Sequence, residues 1–578
     1  MSADSLSVDP PADASVLPRL RPTPWQAAAG LAALHLLLAW LSYVPVPFEG
    51  GDNATYLSLA RSLLAGTGYR EVWDPVGRPH TLYPPVFPAI LAAAIRLGLT
   101  TEPALKWVVV LCSAVAVAVA YLWARRVTTP GIALGMGVVL AVSPGVLDLT
   151  HWVLSDVPFW AFAMVALWAF AHRAGEDAPR GVGWLILGVG AVLLAHFTRS
   201  AGLPLVVATS AYLLLRRRWV DAGVLAAVLL PAMVAWSAYG RAAHASGYLD
   251  AFRFVDPYDH ARGVLGAGDF VRRVGLNVAS YVMDRVPALL FFDLVSGARI
   301  AGVAFVLLAT AGWAMRLRRA GARAMRAIGV AELWVPLHVG LLLVWPAIWS
   351  GTRFLLPILP PLLVYAAESV AWIGARLEKR RAALVSAAVA SGVLMAQPLV
   401  VQVRYGRGCS AASERDGRLA CLIPAWQAYF QIAEAVRGRL PAGAVVLTRK
   451  PTIFYAESGY RSSLYPLSDD RDSLFAVADS VGAEWVLADD VSDLAPRYLY
   501  PVLVAHRDDF CLVSDLLRQG GFLLRIDRDH TKGTRERGRF QVRECPLDPR
   551  RVPPGLTPAG TPQGGVDSAR AGGHGPGR

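Results

Sequence analysis

The chain has 578 residues, of which 55% are hydrophobic and only 17% charged, with 18 tryptophans and a formal charge of +13. Apolar content on this scale excludes an ordinary soluble enzyme and indicates a protein that crosses a membrane several times. The basic excess is not evidence for nucleic acid, because its arginines fall where membrane loops need them.

Residues 1–24 form a polar, Pro-rich N-terminal tail. The apolar segment at 25–46 ends in LSYVPVPFEG without a small-x-small cleavage pattern, so it is expected to remain as an anchor. A span needs about 20 apolar residues. Further segments of that kind lie at 104–124, 131–147, 154–171, 182–197, 201–215, 219–239, 299–315, 332–349, 354–375 and 382–400, which predicts about eleven transmembrane helices. Arg19, Arg21, Arg125, Arg126, Arg173, Arg180, Arg216 to Arg218, the run from Arg316 to Arg326, and Arg376 to Arg381 all fall on one side of that arrangement. Short loops rich in Lys and Arg stay cytoplasmic, so the N-terminus is expected inside and the C-terminal region outside.

Three outer segments are too long to be turns: about 47–103, about 240–298, and the chain beyond 400. The first carries GGDNATYLSLARSLLAGTGY, in which Asp52 opens a helix over Asn53 to Ala65. Tyr56, Leu59, Ala60, Leu63 and Leu64 share one face, the spacing of a helix lying along a membrane interface. The second loop ends in VPALLFFDLVSG, read as another interfacial helix. Residues 401–548 mix polar and apolar runs and predict a small α/β domain, with strands at AVVLT, RSSLY and EWVLA and helices near Trp426 to Arg437 and Asp470 to Val481. The Gly- and Pro-rich tail 549–578 is expected to be disordered.

Cys112 falls within a span, whereas Cys409, Cys421, Cys511 and Cys545 all belong to the outer region. An even number in an oxidising compartment favours two disulfides. The local pairing Cys409–Cys421 and Cys511–Cys545 is the simplest of three connectivities, and a zinc site without CxxC spacing is the alternative.

On the outer side the positive-inside rule predicts few cations, yet Arg199 in HFTRSAGLP and Arg353 in WSGTRFLLPILPP stand there. A cation at the edge of a span needs an anionic partner. Lipid phosphates would serve non-specifically; two such arginines on the same side as Asp52 favour a bound phosphate or pyrophosphate. Asp156, in LSDVPFW, and Asp52 both also suit the capping of the helices they open. His80, His151 and His196 are outer-side histidines without metal-ligand spacing.

Taken in order and on one side, GDNATYLSLARSLLAGTGY, YPPVFP, LSDVPFWAFAMVALWAF, FTRSAGLPL and TRFLLPILPPLL resemble glycosyltransferases of the integral-membrane C superfamily. The similarity is to the bacterial branch related to protein O-mannosyltransferases, the aminoarabinose transferase of lipid A and rhizobial galacturonosyltransferases. It spans the membrane region, 25–400, and implies a sugar carried on a polyprenyl phosphate and moved to an extracytoplasmic acceptor with inversion. It further implies Asp52 as general base and Arg199 and Arg353 as holders of the donor phosphate, with Asp156, His80 and Tyr83 as accessory candidates. A bacterial plasma-membrane location and membrane lipids as partners follow from the same resemblance; a divalent metal ion is left open, with no ligand assigned. Two positions depart from the relatives: Asn53 stands where protein mannosyltransferases have a Glu, and Leu82 and Tyr83 precede the double proline where the aminoarabinose transferase has an acid and a base. A transporter or flippase of lipid-linked sugars is the alternative, but the spans are nearly free of the mid-membrane acids it would use, Glu368 being the main exception.

Overall fold

The computed structural model describes residues 22–47, 49–173, 181–243, 252–292, 297–320, 328–515, 521–528, 536–537 and 541–545. The expectations for most of the N-terminal tail and for the tail at 549–578 lie outside those residues. The chain divides into two compact units, Met1–Gln427 and Ala428–Arg578.

The first unit is helical: α1 Pro24–Leu41, α2 Asp52–Leu64, α3 Val86–Arg96, α4 Glu102–Val127, α5 Pro130–Val142, α6 Pro144–Thr150, α7 Asp156–Arg173, α8 Val182–Thr198, α9 Leu203–Leu215, α10 Trp219–Ala242, α11 Ala267–Ser280, α12 Val286–Phe291, α13 Ala298–Ala320, α14 Val330–Val344, α15 Leu359–Arg376 and α16 Arg380–Asp416; α17 Pro424–Ala435 straddles the division. Local chemistry sets several of the starts. Thr23 and Gln26 form a capping box on α1 with Pro24 in its first turn, and the Thr101 side chain accepts from the Ala104 N–H at the start of α4.

All eleven segments expected to span are helical. Among the described residues six helices are long and apolar enough to cross a membrane, and the pair α5 and α6, bent by 56°, would make a seventh. The bend falls at Pro144, which has no N–H to continue the ladder. The segments at 182–198, 200–215 and 330–344 are apolar but shorter. Helix α16 continues to Asp416 rather than ending near 400, and the compact units divide at Gln427 rather than at the expected residue 400. The change to polar composition there marks a change of surroundings, not a break in the helix, since VQVRYGRGCSAASERD carries no proline and keeps its backbone bonds.

Helix α2 differs from its expected role. Asn53, Ala54, Tyr56, Leu57, Ser58, Leu59 and Ala60 are all buried, so it is packed among other helices rather than laid along an interface by one face. Its companion in the second loop is short, Val286–Phe291, and residues 293–296 of that motif are outside the described set. Helix α7 is largely enclosed, with Phe159, Trp160, Met164 and Phe170 buried.

Two buried cations of this unit are matched. Lys106 of α4 donates to the carbonyls of Val44 (2.8 Å) and Val46 (2.6 Å) and lies over the Trp152 ring, which pins the chain leaving α1. Arg316 binds Glu368 through two nitrogens (2.8 and 2.6 Å) and Glu332 through a third contact at 2.8 Å. Glu368, the feature that favoured a transporter, is thereby held in an ion triad.

The second unit holds a seven-stranded mixed sheet in the order β2-β1-β3-β5-β4-β7-β6, from β1 Val445–Leu447, β2 Arg461–Ser463, β3 Trp485–Asp489, β4 Phe510–Asp515, β5 Gly521–Ile526, β6 Glu536–Arg537 and β7 Val542–Glu544. Helix α18 Pro451–Ser458 links parallel β1 and β2, and α19 Arg471–Val481 precedes β3, which is parallel to β1. The three expected strands are β1 to β3; the antiparallel half built on β5 was not anticipated. Cys409 is bonded to Cys421 and Cys511 to Cys545, and Cys112 is unbonded.

Candidate active site

The ends of α2, α7, α8 and α14 and the turn Thr352–Ile358 enclose a cavity of about 330 Å³. Asp52, Tyr83, Asp156, Arg199 and Arg353, separated by up to 301 positions in the chain, all line it. Of the catalytic, phosphate-binding and accessory candidates from sequence, His80 does not line it.

Asp52 is the first residue of α2, and the N-cap is Gly51, whose φ of 91° is accessible at little cost only to glycine. The N-cap makes no side-chain bond, so the capping role expected for Asp52 gives way to another. Its Oδ2 receives Arg353 Nη2 at 2.9 Å, and its Oδ1 receives the Tyr83 hydroxyl at 3.0 Å. Asp156 is likewise the first residue of α7, one position beyond Ser155, whose carbonyl accepts from the Phe159 N–H. Its Oδ2 receives Arg199 Nη1 at 2.9 Å and lies 4.0 Å from Arg353 Nη1. The same Arg199 nitrogen donates to Ser155 Oγ at 3.1 Å, and Ser155 is bonded to the Tyr56 hydroxyl at 2.7 Å.

The two arginines therefore have anionic partners within the chain, where sequence reasoning had them waiting for a phosphate. Two cations and two carboxylates alternate, and both guanidinium groups rest on the ring of Phe354, at 4.9 and 5.1 Å. A guanidinium has five N–H donors, so a carboxylate contact leaves donors for an entering anion. Much of the rest of the wall is aromatic: Tyr56, Phe159, Tyr258, Trp345, Trp349 and Phe354, with His338 among them.

His80 acts from behind. Its Nε2 accepts from the Tyr83 backbone N–H at 3.1 Å, so its Nδ1 is the donor to Glu71 at 2.9 Å. The Tyr69 hydroxyl donates to the Tyr83 carbonyl, and burial pushes that hydroxyl well above its usual titration range, which keeps it a donor. Tyr83 is thus fixed at its backbone while its hydroxyl holds Asp52. Asn53, at the position of the relatives' second acid, donates instead to Glu102 at 2.8 Å and does not line the cavity. His151 is buried against the Ala39 carbonyl and His196 beside Phe197; neither reaches the site.

Sequence reasoning missed Tyr56, Ser155, Phe354 and the tryptophan pair Trp345 and Trp349. Tyr56 and Ser155 were visible only as neighbours of the two acids. The tryptophans read as ordinary span-end residues, because nothing in one sequence says which side of a helix meets a cavity.

A many-helix membrane protein whose charged residues converge in one aromatic cavity is the class that fold and site define. Residues 83–239 match the family described as dolichyl-phosphate-mannose-protein mannosyltransferase. In fold the chain is similar to the oligosaccharyltransferase AglB from Archaeoglobus fulgidus, solved with an inhibitory peptide and a dolichol-phosphate, at 12% identity over 87% of this chain and 74% of that one, with a TM-score of 0.53. The oligosaccharyltransferase of the same organism in complex with Zn and sulfate is similar at 14% identity over 86% and 72%, also with a TM-score of 0.53. ArnT from Cupriavidus metallidurans in the apo state is aligned over 88% of this chain and 99% of its own at 15% identity, with a TM-score of 0.49. No curated protein matches the sequence. The match over residues 83–239 agrees with the resemblance read from the motifs that fall there, YPPVFP, LSDVPFW and FTRSAGLPL, and at 12 and 14% identity the two archaeal structures show a likeness of fold.

Proposed function

We propose that the chain is an inverting glycosyltransferase that moves a sugar from a polyprenyl-phosphate donor to an extracytoplasmic acceptor hydroxyl. The observation that carries this reading is the alternation of Asp52, Arg353, Asp156 and Arg199 around one cavity. A general base must reach the acceptor proton while cations sit where the leaving phosphate gathers charge. Asp52 and Arg353 are in contact, which brings both functions to one point.

In the proposed reaction the acceptor oxygen attacks the anomeric carbon, Asp52 takes its proton, and the bond from that carbon to the phosphate oxygen breaks with its electron pair leaving on the phosphate. The displacement comes from the face opposite the leaving group, so configuration inverts. Arg353 exchanges part of its contact with Asp52 for the phosphate, Arg199 does the same from Asp156, and Phe354 holds both guanidinium planes. Tyr83 fixes the Asp52 carboxylate. The aromatic wall suits the polyprenyl chain and the apolar face of a sugar ring, and 330 Å³ falls in the range of small-molecule sites, about 300–1,000 Å³. Each cavity carboxylate is engaged by an arginine, and the two arginines are the cations placed to take up charge on the leaving group.

The same reading places this cavity at the outer face of a bacterial plasma membrane, with the eleven helical segments crossing or embedded in it and the second unit outside. The arginine-rich helix ends support that orientation. The test is transfer from radiolabelled polyprenyl-phosphate sugars in membranes containing the protein, following both release of polyprenyl phosphate and label in glycolipid, polysaccharide or protein. Release that requires the intact protein and disappears in Asp52→Asn supports the reading; donor left unconsumed with every sugar tried rejects it.

A further inference from the structure

A second cavity, of about 560 Å³, lies at the other ends of the same helices. Helix α7 contributes Asp156 and Phe159 to the first cavity and Leu167, Phe170 and Ala171 to the second, so the two are separated by roughly 12 Å of helix. Helix α14 does likewise, with His338 at one end and Val330 to Glu332 at the other. The second cavity is walled by the arginine-rich termini of α4, α9 and α13, the ends that the positive-inside rule places in the cytoplasm.

Its charges do not balance as those of the first cavity do. Arg126, Arg216, Arg316 and Arg319 line it against Glu332 and Glu368, and both carboxylates are taken by Arg316. Among the described residues Arg126, Arg216 and Arg319 make no ion pair, which leaves a surplus of positive charge around the space, half-buried at Arg216 and exposed at Arg126 and Arg319. The wall also holds two buried donors without acceptors among the described residues, the Tyr212 hydroxyl and Arg216 Nε, one helical turn apart at the end of α9. Tyr212 is 2% exposed, and the Arg216 guanidinium lies over its ring at 5.2 Å. Buried donors are normally satisfied, and like charges gathered around one cavity repel. An oxyanion brought into the space relieves both.

We propose that this cavity is a second, separate binding site for a phosphate group, with Arg216 and Tyr212 as its anchors and Arg126 and Arg319 as supporting charge. Basic pockets between membrane helices on the cytoplasmic side suit the phosphate of an anionic lipid headgroup, and free phosphate is the other source of the same chemistry. The site lies on helices shared with the first cavity but uses none of that cavity's residues, and it stands whether or not the transferase reading does.

The full-length protein purified in a neutral detergent is titrated with phosphatidylglycerol, with phosphatidylcholine and with inorganic phosphate. Lipid adducts are read by native mass spectrometry and all three ligands by the melting temperature. Phosphatidylglycerol is expected to bind and stabilise, phosphatidylcholine to do neither, and Arg216→Ala to weaken the anionic adduct about tenfold. Tyr212→Phe keeps the ring beneath the guanidinium and removes only the hydroxyl, so it weakens binding with folding preserved. Arg376→Ala, at the same end of the membrane but outside the cavity, leaves binding unchanged. Stabilisation by inorganic phosphate alone, lost in Arg216→Ala, supports the site and makes free phosphate its source. Equal binding of the two lipids with no effect of inorganic phosphate, or equal losses in Arg216→Ala and Arg376→Ala, overturns the proposal.

Discussion

Replacing Asp52 by Asn separates chemistry from structure at the centre of the first cavity. Gly51 is the cap of α2 and Asp52 makes no capping bond, so the substitution removes no helix cap. The amide keeps one oxygen, able to accept from Tyr83 as the carboxylate does at 3.0 Å. What is lost structurally is the ion pair with Arg353, whose side chains are 27% and 30% exposed; a pair of that exposure contributes about 1 kcal/mol or less, and the melting temperature of so large a chain should fall by no more than about 2 °C. Loss of the proton acceptor should lower turnover by about a hundredfold or more. The two effects also part in KM. Asp52 competes with the donor phosphate for Arg353, so the neutral variant should hold the donor as well as the native protein or better while kcat collapses. The assay is initial rate against donor concentration in membranes matched for protein content. Near-native kcat, or a loss expressed mainly as a raised donor KM, would refute Asp52 as the base.

Arg199→Ala and Arg353→Ala should each reduce donor-dependent rate by roughly ten- to a hundredfold, with lysine restoring only part, because a single ammonium cannot replace a planar fork; unchanged donor kinetics in both would remove the phosphate role. Tyr83→Phe loses one hydrogen bond to Asp52 and should lower kcat about fivefold at an unchanged melting temperature; a Tyr83→Phe enzyme as fast as native would show that Asp52 needs no such support. In the second unit, burial pushes the Asp489 carboxyl up to about 7 from an unfolded value near 3.8. Below the unfolded value both states hold the proton and nothing is lost; as pH rises from about 4 to 7 the unfolded chain releases it first, so stability falls, on the order of 4 kcal/mol by pH 7 and constant above. Asp489→Asn should therefore raise the melting temperature more at pH 8 than at pH 5, and an equal change at both pH values would count against the shift. Non-reducing mass mapping of protein matured in its native membrane should find Cys409–Cys421 and Cys511–Cys545 linked and Cys112 as a thiol; four reduced cysteines in the outer set would reject an oxidising location for them.

Much of this protein was legible before any fold was known. Apolar runs separated by arginine clusters announce helices in a membrane, because the cost of leaving backbone groups and cations in hydrocarbon permits little else. The anomalous positions of Arg199 and Arg353, together with Asp52 and Asp156 at helix starts, picked out four residues that line one cavity. What a linear reading could not supply was who meets whom. It matched each carboxylate to its own helix terminus and each arginine to an outside phosphate, because those were the partners within reach in sequence; the fold pairs Asp52 with Arg353 and Asp156 with Arg199. Helix α2 shows the same limit, since a periodic apolar face predicts burial of one side but not the neighbours that cover the other. Composition and charge order thus determined the class of protein. Tertiary structure decided the pairing of charges, the aromatic wall and the second cavity, because electrostatic matching depends on distances of a few ångströms, set only when helices distant in sequence pack together.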